Sequence, residues 1–246
     1  EHEEQQRQRR IFSSIPARSR ALLVSSAVER EDWLQPVPEV IPNTVELDDA
    51  DAQWPLWTER DRTLLFVGNF NHQPNVLALQ WLIERIWPAL QAGRPDLRLR
   101  LVGRRPQDRS LVAWLERQCA LLPLELIHDP PEIRPFYKGC RLSLCPILSG
   151  GGTRLKLLEA FALGCPVVST GRGAEGLAVR DGCQLRLADD APAFVQACLQ
   201  LLDDPEAARR QAAEARLLVR REHGQAAVDR GVAALLDRLG LPLPAG

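Results

Sequence analysis

The sequence contains no methionine, and all but two of its 31 basic residues are arginines, the exceptions being Lys138 and Lys156. Because position 1 is not methionine either, we expect the chain to be a fragment, a processed product or a trimmed protein. The basic residues are balanced by 32 acidic residues, which gives a net charge of −1. A chain without an overall positive field has no general means of attracting nucleic acid, so nucleic acid is not a predicted partner.

Long apolar runs and metal-ligand patterns are also missing. No apolar segment approaches the roughly 18 residues typical of a membrane-spanning helix, and the charged start EHEEQQRQRR is not a secretory signal. The six cysteines form no C-x-x-C pair, and the four histidines show no spacing typical of a metal site. These absences predict a cytoplasmic protein with reduced thiols and no bound metal.

What the sequence does contain is a regular alternation of short apolar segments and amphipathic segments after residue 61. Strands are predicted at 63–68, 97–103, 124–127, 140–146, 165–169 and 184–187. Helices are predicted at 76–90, 110–122, 153–163, 193–202 and within 206–238. Strands joined by helices of this length are typical of βα units, which predicts an α/β fold with a doubly wound parallel sheet. In such sheets, ligands bind beyond the carboxyl ends of the strands.

Residues 1–60 lack this alternation and are predicted to form a separate part of the chain. They contain in order a strand, a short helix capped by Ser26 and a second strand, at 21–26, 27–34 and 37–48. The segment 49–60 has no clear period. Its WPLW motif (54–57) predicts a linker that packs against a neighbouring surface, with sugar-stacking aromatics as the alternative. The predicted domains are therefore 1–60 and 61–246.

Two loops that follow predicted strands contain single glycines. In VGNFNHQPN (67–75), Gly68 allows close approach of a ligand, and Pro74 suits the first turn of a helix whose free N–H groups can hold an anion. In LVGRRPQD (101–108), Gly103 ends the strand and is followed by two arginines. An ordinary βα turn and a solvated arginine pair remain open as alternatives for these loops.

The strongest candidate site is the glycine-rich segment SGGGTRLKLLEA (149–160), which leads directly into a helix. Its glycines expose successive N–H groups, to which the helix adds its positive dipole end. Thr153 is predicted to cap the helix or to donate its hydroxyl to an anion, and Arg154 and Lys156 bring positive charge, so the segment suits a diphosphate. Glu159 lies about a turn and a half further along and can accept hydrogen bonds from ribose or sugar hydroxyls. An ion pair on the same helix is the alternative for Glu159.

Two common phosphate-binding motifs do not appear where they would be expected. The Walker pattern G-x-x-x-x-G-K-[ST] is absent, and no G-x-G-x-x-G follows the first strand. A nicotinamide cofactor is therefore not predicted, and neither is any other cofactor.

Three segments together carry a resemblance to a known family: VGNFNHQPNVLALQWLIERIWPAL, LRLRLVGRRP and GGGTRLKLLEAFALGCPVVSTGRGAEGL. In order and spacing they resemble the C-terminal, donor-binding half of a family 4 glycosyltransferase of the GT-B fold, over about residues 61–240. VSSAVEREDW and VIPNTVELD are similar to the end of that family's first domain. The resemblance implies two Rossmann-like domains facing across a cleft. The first would bind the acceptor, and the second would bind a nucleotide-sugar donor activated by UDP, GDP or ADP.

The resemblance also implies which residues bind the donor, with Glu159 holding the ribose. The predicted donor-binding residues are Gly68, Asn69, Phe70, Gly103, Gly151, Gly152, Thr153, Arg154, Lys156 and Glu159. The family commonly has two glutamates separated by seven residues, and here the first position is Gly151, so backbone N–H groups would replace that carboxylate. The basic pair usual in the first loop is missing too, which leaves Arg154 and Lys156 to compensate the diphosphate charge. No Asp-x-Asp motif is present, and no metal is implied.

In such an enzyme a large acceptor-binding domain precedes the matching region, whereas about 60 residues precede it here. We therefore expect the chain to bind the donor but to transfer sugar poorly by itself. A glycan or lipid acceptor would bind through the missing N-terminal domain, and transfer would retain the anomeric configuration. A non-catalytic nucleotide-sugar-binding subunit or sensor and a nucleotide-sugar epimerase remain open as alternatives.

Peripheral membrane contact through the Arg-rich helix 208–221 is a further expectation, although its charge pairs favour a solvated face.

Overall fold

The computed structural model describes residues 21–31, 38–47 and 57–242. Two short parallel strands, β1 (Leu23–Val24) and β2 (Glu39–Val40), form a small sheet. The main sheet consists of β3 (Thr63–Asn69), β4 (Arg98–Arg104), β5 (Leu124–His128), β6 (Leu142–Cys145), β7 (Val167–Ser169) and β8 (Arg186–Leu187). These six strands are all parallel and are arranged in the order β5-β4-β3-β6-β7-β8.

Helices alternate with the strands of the main sheet. In chain order the helices are α1 (Ala27–Glu31), α2 (Gln73–Trp81), α3 (Trp87–Gly93), α4 (Arg109–Leu121), α5 (Arg134–Gly139), α6 (Leu155–Ala162), α7 (Ala191–Asp203), α8 (Pro205–Glu222) and α9 (Gln225–Arg238). β6 and β7 are buried along their whole length, and β3 is buried until its last two residues. Strands buried on both sides require helices on both faces of the sheet, so the predicted doubly wound α/β fold is confirmed.

The predicted strands of the main sheet lie within two residues of the observed strand ends, but two helical regions differ. Before the main sheet, the predicted strand 37–48 is observed only over Glu39–Val40. The predicted helix 76–90 is divided by a π-helical turn, Leu82–Ile86, between α2 and α3. Pro88 in the first turn of α3 has no N–H to donate to the preceding turn, and the wider π turn accommodates the missing hydrogen bond. The predicted helical region 206–238 forms two helices, α8 and α9.

The part of the chain before the main sheet is partly described. Ser26 caps α1 as predicted: the Glu29 N–H donates to Ser26 Oγ at 3.3 Å, and the Ser26 N–H donates to the Glu29 carboxylate at 3.1 Å, which is a capping box. The end of the predicted helix 27–34 falls within 32–37, outside the described residues, as does most of the WPLW motif. Trp57, the last residue of that motif, is buried.

Residues 38–47 pack against the C-terminal helices. The Val45 N–H donates to the carbonyl oxygen of His223 at 3.3 Å, and Nδ1 of His223 lies 2.9 Å from the carbonyl oxygen of Asn43. The two predicted domains therefore contact each other, and their division at residue 60 stays a prediction.

The Arg-rich helix α8 presents an alanine-rich stripe to the core and most of its arginines to solvent. Gln211 joins this helix to the sheet, because its Oε1 accepts a hydrogen bond from the Val167 N–H at 2.9 Å. On the exposed side, Arg209 pairs with Glu206 at 2.8 Å. The charged face of α8 is therefore exposed, and whether it contacts water or a membrane stays a prediction. Of the helices that the structure describes, none is both long enough and apolar enough to cross a membrane.

Candidate functional site

The predicted glycine-containing loops lie where the order of the main sheet reverses. From β3 the chain moves outward to β4 and β5, and it then returns to β6 on the other side of β3. The loops after β3 and β6 therefore leave neighbouring strands in opposite directions and open a crevice beyond their carboxyl ends. Ligands of open α/β sheets bind at such a switch point.

The loop after β3 offers its backbone to this crevice. A Cβ on Gly68 would lie 3.2 Å from the side chain of Asn75, so glycine leaves room for that amide. Asn69 is exposed at the end of the strand. Phe70 is only 1% exposed and stacks on Phe66, so its main chain but not its ring can face a ligand.

At the end of β4, packing against the neighbouring strand requires glycine at position 103. This glycine lies beside Gly68 in the sheet register, and a Cβ at position 103 would overlap the carbonyl oxygen of Gly68. The structure requires glycine here so that the ends of β3 and β4 can meet, and a ligand contact at Gly103 stays a prediction. Asn71 then joins the two loops, since its side chain donates to the carbonyl oxygen of Arg105 at 2.8 Å and accepts from the Gln107 N–H at 2.7 Å.

The glycine-rich loop after β6 needs its glycines for different reasons. Gly150 and Gly152 have φ angles of 86° and 84°, in the left-handed region that favours glycine. A Cβ on Gly150 would lie 3.0 Å from Pro74 in α2, whereas a Cβ on Gly151 would meet nothing within 4 Å. The loop therefore packs on the first turn of α2 at Gly150 and faces open space at Gly151, where a ligand can approach its backbone.

The helix after this loop begins later than predicted. The first residue of α6 is Leu155, and Arg154 is the N-cap without a side-chain capping bond. The prediction that Thr153 caps the helix is wrong, because Thr153 lies one residue before the N-cap. Its hydroxyl oxygen is buried, 3.2 Å from the position that a Cβ would take on Gly176, and has no hydrogen-bond partner within the described residues. Donation of that hydroxyl to an anion stays a prediction.

Arg154 folds back over its own loop. Its guanidinium donates to the carbonyl oxygens of Gly150 at 2.7 Å and Gly151 at 2.8 Å, and it lies 3.4 Å from that of Ser149. Burial lowers the pKa of this guanidinium. In this arrangement Arg154 stabilises the shape of the loop, and its direct contact with a diphosphate stays a prediction.

Lys156 connects the two loops of the crevice. Its ammonium donates to Oδ1 of Asn75 at 2.7 Å and lies 4.7 Å from the centre of the Phe66 ring. Asn75 in turn donates to the carbonyl oxygen of Asn69 at 3.1 Å. Burial lowers the pKa of the Lys156 ammonium. A partly buried cation therefore lies at the junction of the loops after β3 and β6.

Glu159 lies about one turn further along α6, beside the buried Tyr137. The Tyr137 hydroxyl lies 3.3 Å from Glu159 Oε2 and 3.2 Å from the carbonyl oxygen of Lys156. Burial raises the pKa of Glu159, and the Tyr137 hydrogen bond and the Lys156 charge act in the opposite direction. The hydrogen-bond partner of Glu159 is thus a tyrosine from α5, and its carboxylate is only partly desolvated.

A cavity of ≈ 290 Å³ borders Glu159. It lies between residues 44–46, the start of α5 and α6, and its lining residues are Thr44, Val45, Glu46, Ile133, Arg134, Leu155, Glu159, Ala162 and Leu163. A mostly apolar cavity with a few polar groups suits a nucleoside, whose base is planar and whose ribose has hydroxyls. Only Glu159 in this set was predicted from the sequence. Leu155 could also have been predicted to line the cavity, because its four-residue spacing from Glu159 places both side chains on one face of α6.

Two further segments lie against the glycine-rich loop and were not predicted: the loop after β7, which contains Gly176, and α1, which contains Glu29. Gly176 has a φ of 83°, and a Cβ there would lie 3.2 Å from Cβ of Ser26. A Cβ on Gly152 would lie 3.3 Å from Oε1 of Glu29. Gly176 ends a G-x-G-x-x-G pattern at 171–176, which follows β7 rather than the first strand. That pattern was the missed signal for the loop after β7.

The crevice combines three chemical features. Open backbone at Gly151 and the ammonium of Lys156 suit a diphosphate, and the cavity at Glu159 suits a nucleoside. Such preorganised donors stabilise the charge that develops on a departing phosphate. Within the part of the chain that the structure describes, no three His, Cys, Asp or Glu side chains come together as a potential metal site.

Comparison with known families accounts for most of this α/β region. Residues 61–204 match the family described as glycosyl transferases group 1. The chain belongs to this family. The matching region runs from the segment before β3 into the end of α7, so it includes both loops of the crevice.

A curated relative is described as an uncharacterized 44.6 kDa protein in the cps region of Klebsiella pneumoniae. It is 30% identical over 138 residues, which are 54% of this chain and 35% of that protein. A mutant of S. aureus TarM, solved with fondaparinux, alpha-GlcNAc-glycerol and UDP, has a TM-score of 0.72 at 14% identity, covering 88% of this chain and 44% of that chain. HepE from Anabaena in complex with UDP has a TM-score of 0.71 at 14% identity, with 89% and 64% covered.

A third solved structure, the sucrose-phosphate synthase from Thermosynechococcus elongatus, has a TM-score of 0.68 at 22% identity, covering 89% of this chain and 58% of that chain. At these identities the similarity shows the fold. The chain spans about a third of the curated relative's length and between 44% and 64% of the three solved structures.

Proposed function

We propose that residues 61–246 form the donor-binding, C-terminal half of a family 4 glycosyltransferase of the GT-B type. The enzyme would transfer a sugar from a nucleotide-sugar to a glycan or lipid acceptor, with retention of the anomeric configuration. The observation that carries the proposal is the crevice at the switch point between β3 and β6. Open glycine backbone and a cation lie there, and about one helical turn along α6 Glu159 borders a nucleoside-sized cavity. Membership of the group 1 family supports glycosyl transfer in general.

In the proposed complex, the diphosphate lies against the backbone of Gly151 and Gly152 at the N-terminal end of α6. Lys156 offsets part of its charge, and the helix dipole adds to this effect. The nucleoside occupies the ≈ 290 Å³ cavity, where Glu159 accepts hydrogen bonds from the ribose hydroxyls. Because these groups are already in place, they stabilise the nucleoside diphosphate as it leaves the sugar.

UDP is the first nucleotide to test. TarM and HepE were each solved with UDP, and both share the fold of this chain. GDP and ADP are the comparison nucleotides. The acceptor would bind to an N-terminal domain, and neither a metal nor another cofactor is part of the proposed chemistry. Cytoplasmic localisation with peripheral contact at the inner face of a membrane stays a prediction.

Thermal unfolding of the chain with each nucleotide tests the donor site. We expect one nucleotide to raise the unfolding midpoint, because a ligand that binds only the folded state at 100 times its dissociation constant stabilises by about 2.7 kcal/mol. Glu159→Ala removes the carboxylate that accepts hydrogen bonds from the ribose, and Lys156→Met removes the cation. Each variant should therefore abolish most of the shift.

The matched control is Glu116→Ala, which removes an exposed glutamate on α4, away from the crevice. This variant should keep the full nucleotide shift. If UDP, GDP and ADP all leave the wild-type midpoint unchanged at millimolar concentration, or if the Glu159 and Lys156 variants keep the full shift, the crevice does not bind the donor and the proposal fails.

A further inference from the structure

A carboxylate from outside the α/β region reaches the glycine-rich loop. Glu29 lies in α1, and its Oε2 accepts hydrogen bonds from the Ser25 N–H at 2.8 Å, the Ser25 hydroxyl at 2.8 Å and the Ser26 N–H at 3.1 Å. Three donors on one oxygen hold the side chain in a single place, and hydrogen bonds to an ionised group are the stronger kind.

The other oxygen of this carboxylate faces the loop. Glu29 Oε1 lies 3.3 Å from the position that a Cβ would take on Gly152, and it accepts no hydrogen bond within the described residues. The neighbouring position, Gly151, faces open space. A carboxylate oxygen that accepts no hydrogen bond from the described residues therefore lies at the edge of the space into which the loop exposes its backbone.

The position of α1 is held from a second side. Gly176, in the loop after β7, has a φ of 83°, and a Cβ there would lie 3.2 Å from Cβ of Ser26 and 3.2 Å from Oγ1 of Thr153. Ser26 itself is buried. The start of α1 is thus packed against the loops after β6 and β7, so that the distance between Glu29 and Gly152 is fixed by packing as well as by hydrogen bonds.

Helix capping explains only half of this arrangement. A capping box needs one carboxylate oxygen to accept the N–H of the cap residue, and Oε2 fulfils that role. The approach of Oε1 to Gly152 adds nothing to the cap. A side chain at position 152 would press on Oε1, and the φ of 84° disfavours any residue other than glycine there. The loop and the carboxylate therefore fit each other closely.

We infer that Glu29 recognises hydroxyl groups of the sugar that the donor carries. This inference rests on the proposed function, because a diphosphate bound at Gly151 places its attached sugar beside Gly152, within reach of Glu29 Oε1. Sugar hydroxyls donate hydrogen bonds, and a carboxylate oxygen with free lone pairs accepts them. Glu29 is then a specificity-determining residue at the sugar end of the donor, whereas Glu159 acts at the ribose end.

Calorimetric titration separates sugar recognition from nucleotide recognition. The ligands are UDP, UDP-glucose and UDP-N-acetylglucosamine, and the measured quantity is the ratio of the Kd for UDP to the Kd for each UDP-sugar. We expect wild type to bind at least one UDP-sugar more tightly than UDP. In Glu29→Gln this preference should fall by about tenfold or more, the value of a hydrogen bond to a charged group, while the Kd for UDP stays unchanged.

Glu29→Gln keeps an oxygen acceptor for the Ser25 and Ser26 donors, so the variant should fold. The control is Ser26→Ala, which removes the hydroxyl that accepts the Glu29 N–H at 3.3 Å and leaves the carboxylate in place. A purely structural role of Glu29 would make both variants less stable and leave the preference for the UDP-sugar unchanged. We expect Ser26→Ala to lower the thermal midpoint and to keep the preference.

The outcomes distinguish this inference from the proposed function. If UDP binds but Glu29→Gln keeps the wild-type preference, or if wild type shows no preference for either UDP-sugar, the inference is overturned and the nucleotide site stands. If neither UDP, GDP nor ADP binds to wild type, the proposed function fails and the inference fails with it.

Discussion

At the scale of single residues, burial makes the charged form of the Glu159 carboxylate unfavourable in the folded chain. Desolvation raises its pKa above the ordinary value of 4.5, and the Tyr137 hydrogen bond and the Lys156 charge offset only part of this effect. Between the pKa of the unfolded chain and the raised pKa of the folded chain, the folded state binds more protons. Stability therefore falls as the pH rises through that window. A carboxylate kept against its desolvation cost is typical of a functional residue.

We predict that Glu159→Gln makes the chain more stable at about pH 7 and not at about pH 4, because the neutral amide avoids the cost of a desolvated charge. The free energy of unfolding, measured by urea denaturation at both pH values, checks this. Glu116→Gln, at an exposed position on α4, serves as the control and should differ from wild type equally at both pH values. A Glu159→Gln protein that is less stable than wild type at neutral pH would show that the charge is favourable where it lies.

The directions of the charged side chains in the glycine-rich loop could not be predicted from the sequence. Glycines and cations close together predicted a site, but they did not show whether Arg154 faces a ligand or its own loop. That choice depends on the left-handed backbone at Gly150 and Gly152, which turns carbonyl oxygens toward the guanidinium. The N-cap position was missed for a similar reason. Thr153 is a favourable capping residue, yet the backbone places Arg154 at the cap.

At the scale of strands and helices, the contact between β3 and β4 decides what position 103 can hold. We predict that Gly103→Ala lowers the free energy of unfolding by about 3 kcal/mol or more, because the new methyl group overlaps the carbonyl oxygen of Gly68 and forces the strands apart. The matched control is Gly93→Ala at the end of α3, where a Cβ would lie 3.7 Å from Leu199. This control should be neutral or stabilising by up to about 1 kcal/mol.

Urea denaturation of the two alanine variants measures this difference, with nucleotide binding as a second readout. Equal midpoints for Gly103→Ala and Gly93→Ala would show that the ends of β3 and β4 can separate at little cost. In that case, glycine at position 103 would need an explanation other than packing.

The strands were predictable and the helix ends less so, for a physical reason. A strand buried on both faces leaves a short run of apolar residues in the sequence, as TLLFVG does for β3. The end of a helix depends instead on which N–H and carbonyl groups find partners. The π turn Leu82–Ile86 and the break between α8 and α9 both lie within continuous helical patterns, so apolar spacing alone could not locate them.

At the scale of the whole molecule, the site depends on contacts that local patterns do not encode. The alternation of strands and helices predicted a parallel sheet, but it did not predict that β6 pairs with β3 and so creates the switch point. The cavity beside Glu159 takes one wall from residues 44–46, which precede that glutamate by more than a hundred positions. Glu29 reaches Gly152 across a similar distance in the sequence. The glycine-rich loop, Lys156 and Glu159 were therefore predictable as parts of the candidate site, whereas the wall formed by residues 44–46 and the approach of Glu29 were not.

Because residues 44–46 and Glu29 precede the main sheet, a chain that lacks residues 1–47 tests their contribution to the site. The buried core extends from Trp57 to Val219, and among the described residues before Trp57 only Val45 and Leu47 pack against it. We expect the shortened chain to unfold in one cooperative transition, with a midpoint lower by several degrees, because losing two half-buried side chains costs about 2 kcal/mol.

The shortened chain should also separate the parts of the donor site. It keeps Lys156, Glu159 and the glycine-rich loop, so we expect it to bind UDP, more weakly than the full chain because the cavity loses the wall formed by residues 44–46. It lacks Glu29, so it should bind UDP and the UDP-sugars equally. A shortened chain that keeps the preference for a UDP-sugar would place sugar recognition entirely within the α/β region. One that unfolds without a cooperative transition would show instead that residues 1–47 belong to the same folding unit as the main sheet.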